Sequence, residues 1–183
     1  MPVTTLDPKT ALVVIDLQEG IKGFAPPEAF AEVITHAAAL TTAFRAHNLP
    51  VCLVNVTGGA PGRNEDPPRT WAFPDNFADL LPELNQQPSD HVVTKKTWGA
   101  FTNTDLDAWL KAQGVTQIVL CGVATSIGVE STARFAHEYG YNVTLAIDAM
   151  TDRNPDAHTY ALTTVFPRLG ETGTTQDIIA LLK

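Results

Sequence analysis

Two charged residues close apolar runs of strand length, and a third such run leads into a turn without a reactive side chain. The run ALVVID (11–16) finishes on Asp16, and HVVTK (91–95) finishes on Lys95. A carboxyl group at the end of a buried strand suits general acid or base work, because burial disfavours its charged form. A nearby lysine ammonium pushes the other way, and the sequence leaves open which influence wins. The stretch LCGVATSIGVESTARFA (120–136) runs through a sharp turn into a helix, the usual setting for a nucleophile, yet Gly128 stands at the helix's first turn. Cys121 lies inside the preceding strand, and Thr125 and Ser126 lie in the turn. Gly128 either leaves room and a backbone N–H for substrate or water, or relieves crowding of the helix start against the sheet.

Other side chains are candidates for holding a substrate. Arg63, in the loop GGAPGRNEDPPRTWAFPDN (58–76), suits a carboxylate through paired hydrogen bonds. Trp98 and Phe101 follow the strand that ends at Lys95 and could wall a pocket or simply pack. Gln18, two residues beyond Asp16, is a further candidate. Asp148, Asp152 and His158 lack metal-type spacing, so capping and loop roles are expected for them. Glu130 and Arg134 are spaced for a helical i,i+4 pair.

Apolar strand-like runs alternate with helical patterns along the whole chain. ALVVID precedes a helical pattern with Phe30, Val33, Ile34, Ala37, Leu40 and Phe44 on one face. Further strands read at LPVCLVNVT, HVVTK, TQIVLCGV and NVTLAIDAM, and GETG is a candidate short final strand. NTDLDAWLKAQG reads as a helix capped by Thr104, with Asp107 as capping-box partner and Gly114 as its stop. GVESTARFAHEYG, with Val129, Ala133 and Ala136 on its inner stripe, PDAHTYALTTVF and TTQDIIALL supply the remaining helices. Strands that are apolar throughout need cover on both faces, which predicts a three-layer α/β/α, Rossmann-like domain around a mostly parallel sheet. In such sheets ligands bind beyond the carboxyl ends of the strands, where strand order reverses.

The bulk properties fit a single domain over residues 1–183. A net charge of −8, from 12 basic and 20 acidic residues, disfavours nucleic acid or anionic membrane as a partner. No run approaches the roughly 18 apolar residues of a membrane span, and the first residues do not read as a signal peptide, so a cytoplasmic location is expected. Cys52 and Cys121 sit in apolar runs and read as reduced core residues. No metal or cofactor is implied.

VVIDLQ (13–18), TKKTWGAF (94–101) and GVATSIGVESTARFA (122–136) together resemble the three signatures of the isochorismatase-like hydrolases, over roughly residues 10–182. The resemblance implies a six-stranded parallel sheet, a homo-oligomer, and a site built from Asp16, Lys95 and a third position, usually cysteine, that Gly128 occupies. It also implies a cis peptide between Val123 and Ala124, in a turn that holds the substrate. Members with cysteine attack amides through a thiolate, a route closed to a chain with glycine. Members with glycine cleave a vinyl ether by proton transfer from the aspartic acid. Those members resemble one another in a GVYAH turn whose tyrosine frames the ring of the substrate, and Ala124 replaces that tyrosine. The expected activity is therefore acid-catalysed hydrolysis of a small metabolite, with a silent metabolite-binding or partner-binding protein and an amidase with a substitute nucleophile as the alternatives.

Overall fold

The computed structural model describes residues 2–65 and 73–183. Residues 66–72 of the loop expected over 58–76 lie outside that range. Six strands form one parallel sheet in the order β3-β2-β1-β4-β5-β6. They are β1 (Thr10–Ile15), β2 (Val51–Val56), β3 (His91–Lys95), β4 (Gln117–Val123), β5 (Asn142–Thr151) and β6 (Glu171–Gly173). The chain builds outward from β1 to β3, then returns to lay β4 on the other side of β1. Strand order therefore reverses between β1 and β4, the place where a crevice opens in such sheets.

Both faces of the sheet are covered, and the strands' side chains divide between them. Ala11, Val13 and Ile15 of β1 point into one core with Leu106 and Leu110 of α2 (Leu106–Ala112) and Ala133 and Ala136 of α3 (Glu130–Glu138). Leu12 and Val14 point into the other, with Phe30, Val33, Ala37, Leu40 and Phe44 of α1 (Pro27–Ala46). Cover on both faces buries β1 and β4 at every position, the polar Thr10 and Gln117 included, whereas the edge strand β3 is only alternately buried.

Two local expectations need correction. Helix α2 begins at Leu106, with Asp105 rather than Thr104 in the cap position and no side-chain cap bond. The Thr104 hydroxyl donates to the Ala100 carbonyl and accepts a long bond of 3.4 Å from the Leu106 amide, and Asp107 binds Lys111 and Tyr141. A capping box forms elsewhere, between Thr174 and Asp177 at the start of α5 (Thr175–Ala180). The pattern read as one helix over PDAHTYALTTVF is α4 (Pro155–Tyr160) followed by a wider turn and a tighter one.

Candidate active site

Asp16 is the first residue beyond β1, and its φ of 53° lies in the left-handed region that aspartate tolerates better than most residues. Its amide donates to the Val54 carbonyl at 2.9 Å, which fixes the bend against β2. Lys95, the last residue of β3, reaches past the end of β2. Its Nζ donates to Asp16 Oδ2 at 2.7 Å and to the Thr97 carbonyl at 3.2 Å. Asp16 is 6% exposed and Lys95 2%.

Burial pushes the Asp16 carboxyl up from 3.8 to about 6, and the charge and hydrogen bond of Lys95 only partly oppose the rise. Desolvation thus wins the contest that the sequence left open. Asp16 Oδ1 is shielded from solvent and has no hydrogen-bond partner among the described residues. Two of the three Lys95 ammonium protons are engaged by the recorded bonds. The pair therefore keeps one acceptor and one donor for a third molecule.

Gly128 faces this pair from the turn after β4. A Cβ built there would stand 3.3 Å from Asp16 Oδ2, 3.2 Å from the Val123 carbonyl oxygen and 2.9 Å from Ile15 Cγ2. A side chain here would be crowded by Ile15 and would also lie beside the acid. Gly122 serves the same approach. Its φ of 111° and a would-be Cβ 2.1 Å from the Ile15 carbonyl oxygen leave no alternative to glycine where β4 passes the end of β1.

The turn over Thr125–Val129 is held from the β5 side. Asp152 Oδ2 accepts from the Ser126 amide and hydroxyl, both at 2.8 Å, and Thr125 Oγ1 lies 2.8 Å from His158 Nδ1 on α4. Asn154 joins these contacts: its amide donates to Asp152, and its side chain caps α4. Burial pushes the His158 imidazole down, partly offset by Asp152. Both turn hydroxyls are directed towards β5, while Gly128 faces β1. From inside α3, Thr132 donates to the Gly128 carbonyl at 2.7 Å and accepts from the Ala100 amide at 3.1 Å.

The isochorismatase domain family matches residues 10–177 of the chain. The chain belongs to the isochorismatase family. An uncharacterized isochorismatase family protein of Bacillus subtilis, YwoC, is 41% identical over 182 residues, covering 96% of this chain and 95% of the relative. A solved structure of an isochorismatase family protein from Burkholderia thailandensis superposes with a TM-score of 0.91 at 43% identity, covering 97% of each chain. A ureidoacrylate amidohydrolase of Methylobacterium radiotolerans is 31% identical, covering 87% of this chain and 74% of that protein. The family is one of hydrolases, and this chain is a hydrolase of the family.

Within the isochorismatase frame, some residues expected at the site are engaged elsewhere. Gln18 is fully buried and its amide bonds only to backbone: Nε2 donates to the Val56 and Phe77 carbonyls, and Oε1 accepts from the Val56 amide. With both donors engaged and the oxygen bonded to the Val56 amide, it braces the end of β1. Phe101 is 6% exposed and its ring packs on Tyr139 and Tyr141, at centroid distances of 5.4 and 6.0 Å, so it belongs to the core and not to an open wall. Trp98 is 62% exposed and Arg63 is also exposed; neither makes a recorded contact with Asp16 or Lys95. Val123 and Ala124 are buried, and the peptide between them is cis.

The remaining groups have structural partners. Asp148 accepts from the Thr175 amide and hydroxyl at 2.7 and 2.9 Å, and Glu130 pairs with Arg134 at 2.9 Å. Cys52 and Cys121 are free and buried, and burial pushes both thiols above their ordinary value. Among the described residues no cluster of three or more His, Cys, Asp or Glu side chains could hold a metal, and no helix is long and apolar enough to cross a membrane. Thr132 is the site residue that sequence reading missed. Its signal was available, since a threonine four residues after Gly128 on the same helix can bond back to the Gly128 carbonyl.

Proposed function

We propose that the chain hydrolyses a small metabolite without a cofactor, using Asp16 as acid and base, Lys95 as its partner and no covalent nucleophile, with a vinyl ether of the isochorismate kind as substrate. The observation that carries this reading is the buried Asp16 carboxyl, raised to about 6 and with Oδ1 unpartnered, beside a position that has no side chain. A general acid works best when its pKa lies near the working pH, and an unperturbed aspartate would be almost wholly ionised there.

The steps balance. Neutral Asp16 delivers its proton to the terminal vinyl carbon, leaving an oxocarbenium ion. Water adds to that cation and returns a proton to the Asp16 carboxylate. The resulting hemiketal collapses to pyruvate and an alcohol. Lys95 holds Oδ2, which keeps Oδ1 turned to the substrate. The resemblance adds a homo-oligomeric state to this proposal.

The ureidoacrylate amidohydrolase among the relatives raises amide hydrolysis as a second reading. It requires a substitute nucleophile, and the turn hydroxyls of Thr125 and Ser126 are engaged with His158 and Asp152. Pyruvate release from isochorismate and related vinyl ethers separates the two. Wild-type protein is expected to release it, with kcat/KM falling as pH rises above about 6. Asp16→Asn is expected to lose roughly 10²–10⁴-fold in rate. No release from any vinyl ether, together with turnover of amides, would move the assignment to the second reading.

A further inference from the structure

We infer that the site takes a small organic carboxylate, and that this anion replaces Asp16 as the counter-ion of Lys95 while Asp16 takes up a proton from solvent. The inference rests on the proposed acid role of Asp16 and names the charge of the substrate and the way the acid is loaded. Lys95 is 2% exposed, and its recorded polar contacts are Asp16 Oδ2 and the neutral Thr97 carbonyl. The other groups recorded around Asp16 are uncharged: the Val54 carbonyl from β2, and Gly128 from the turn after β4, itself packed against Ile15 and the Val123 carbonyl. Among the described residues Lys95 is the one titratable or charged group in recorded contact with Asp16.

An acid must be neutral before it can donate, and neutralising Asp16 strands the ammonium of Lys95 in a buried site. A buried cation without an anion is strongly disfavoured. An incoming carboxylate removes that problem. It accepts from the Lys95 ammonium, whose third proton has no recorded partner, and it meets the unpartnered Asp16 Oδ1, which becomes able to donate once protonated. Glycine at 128 keeps a side chain away from Oδ2, from which a Cβ would stand 3.3 Å. The balance is one carboxylate and one proton added to an ion pair, giving neutral Asp16 and an ammonium–carboxylate pair. A neutral amide brings no such charge and leaves the original ion pair in place.

The test uses wild-type protein and two inert carboxylates, pyruvate and benzoate, each beside its amide. Calorimetric titration in buffers of different ionisation enthalpy, between about pH 5.5 and about pH 7.5, counts protons taken up per ligand bound. The expected result is close to one proton per carboxylate at the upper pH, with affinity falling towards tenfold per pH unit above about 6. The amides should bind roughly tenfold or more weakly at the lower pH, with no uptake. Asp16→Asn should bind carboxylates without uptake and without pH dependence, and more tightly than wild type at the upper pH. If that variant does not fold, the proton count on the wild type decides alone. Amides binding as well as carboxylates, carboxylates binding without proton uptake, or no carboxylate binding at any of these pH values would each overturn the inference. Vinyl-ether turnover without proton uptake would overturn it and spare the proposed reaction, whereas uptake without turnover would do the reverse.

Discussion

Strand β3 is bracketed by two ion pairs, one part-buried and one buried, that differ in how completely they are satisfied. At its amino end, Arg45 Nε and Nη2 bind the two oxygens of Asp90 at 3.1 and 2.6 Å, and Nη1 and Nη2 both reach the Leu84 carbonyl at 3.1 Å. The Gln87 amide adds a further bond to Asp90 at 2.8 Å. At its carboxyl end, Lys95 binds one oxygen of Asp16 and leaves the other bare. The first pair ties the end of α1 to the loop before β3, with four of the five Arg45 N–H donors and both Asp90 oxygens engaged. The second retains an unpartnered acceptor and a spare donor. Low exposure alone does not distinguish the two pairs, but the bare carboxylate oxygen at Asp16 does.

The largest expected effect tests the structural half of the contrast. Arg45→Met leaves the Asp90 carboxylate, whose side chain is 1% exposed, without its cation. Breaking a buried pair from one side costs about 3–5 kcal/mol, so chemical denaturation should show a loss of that order. The rate of whatever folded protein remains should match the wild type. A loss of turnover at unchanged stability would reverse the roles of the two pairs.

The functional half predicts a pH dependence of stability. The Asp16 carboxyl lies at about 6 in the folded protein against 3.8 unfolded, so the folded state holds its proton more tightly. The contribution is fully present below the unfolded value and is lost as pH rises through about 6. A shift of this size corresponds to roughly 3 kcal/mol. Asp16→Asn should remove this component, so that its unfolding free energy, measured between about pH 4 and about pH 7, falls less steeply with pH than that of the wild type. Equal slopes would show that Asp16 is not held in an unfavourable charge state.

The two pairs were unequally legible in the sequence. Asp16 and Lys95 each close an apolar run, and in a parallel sheet a run's carboxyl end is where ligands bind, so strand reading alone placed them. Arg45 and Asp90 meet only because α1 packs back along the sheet, and their separation of 45 residues carries no periodic signal. The same limit hid the Gln18 bonds, which go to backbone that the tertiary fold delivers at Val56 and Phe77, whereas Thr104 bonds locally, to the Ala100 carbonyl and the Leu106 amide. Phe101 was left between wall and packing for a related reason, since Tyr139 and Tyr141 reach it only once α3 lies on the sheet.

A smaller effect is expected from Gly128→Ala, which probes the side of the Asp16 pair that faces the turn after β4. The added methyl would stand 2.9 Å from Ile15 Cγ2, so Ile15 must shift. Overpacking of this kind typically costs about 1–3 kcal/mol, and a side chain near the low end is expected for one methyl. The methyl would also lie 3.3 Å from Asp16 Oδ2, so vinyl-ether turnover should fall by more than the stability change explains. Unchanged turnover would mean that substrate does not use the ground beside Oδ2.

The smallest effect comes from a third ion pair that sharpens the contrast from outside. Glu130 and Arg134 lie one helical turn apart on α3, 2.9 Å from each other, and the arginine side chain is 55% exposed. Solvent screens the charges, and holding two long side chains in one geometry costs entropy, so such pairs contribute about 0.3–0.5 kcal/mol. Glu130 is two residues from Gly128, so position along the chain would nominate this pair as part of the site. Its hydrogen-bonding needs are met by water when the partner is removed, which is not so for Arg45 or Lys95. Arg134→Ala should therefore change unfolding free energy by less than about 0.5 kcal/mol and leave turnover intact. A large loss of turnover on that substitution would show that proximity to the turn, and not unused hydrogen-bonding capacity, marks the residues that act.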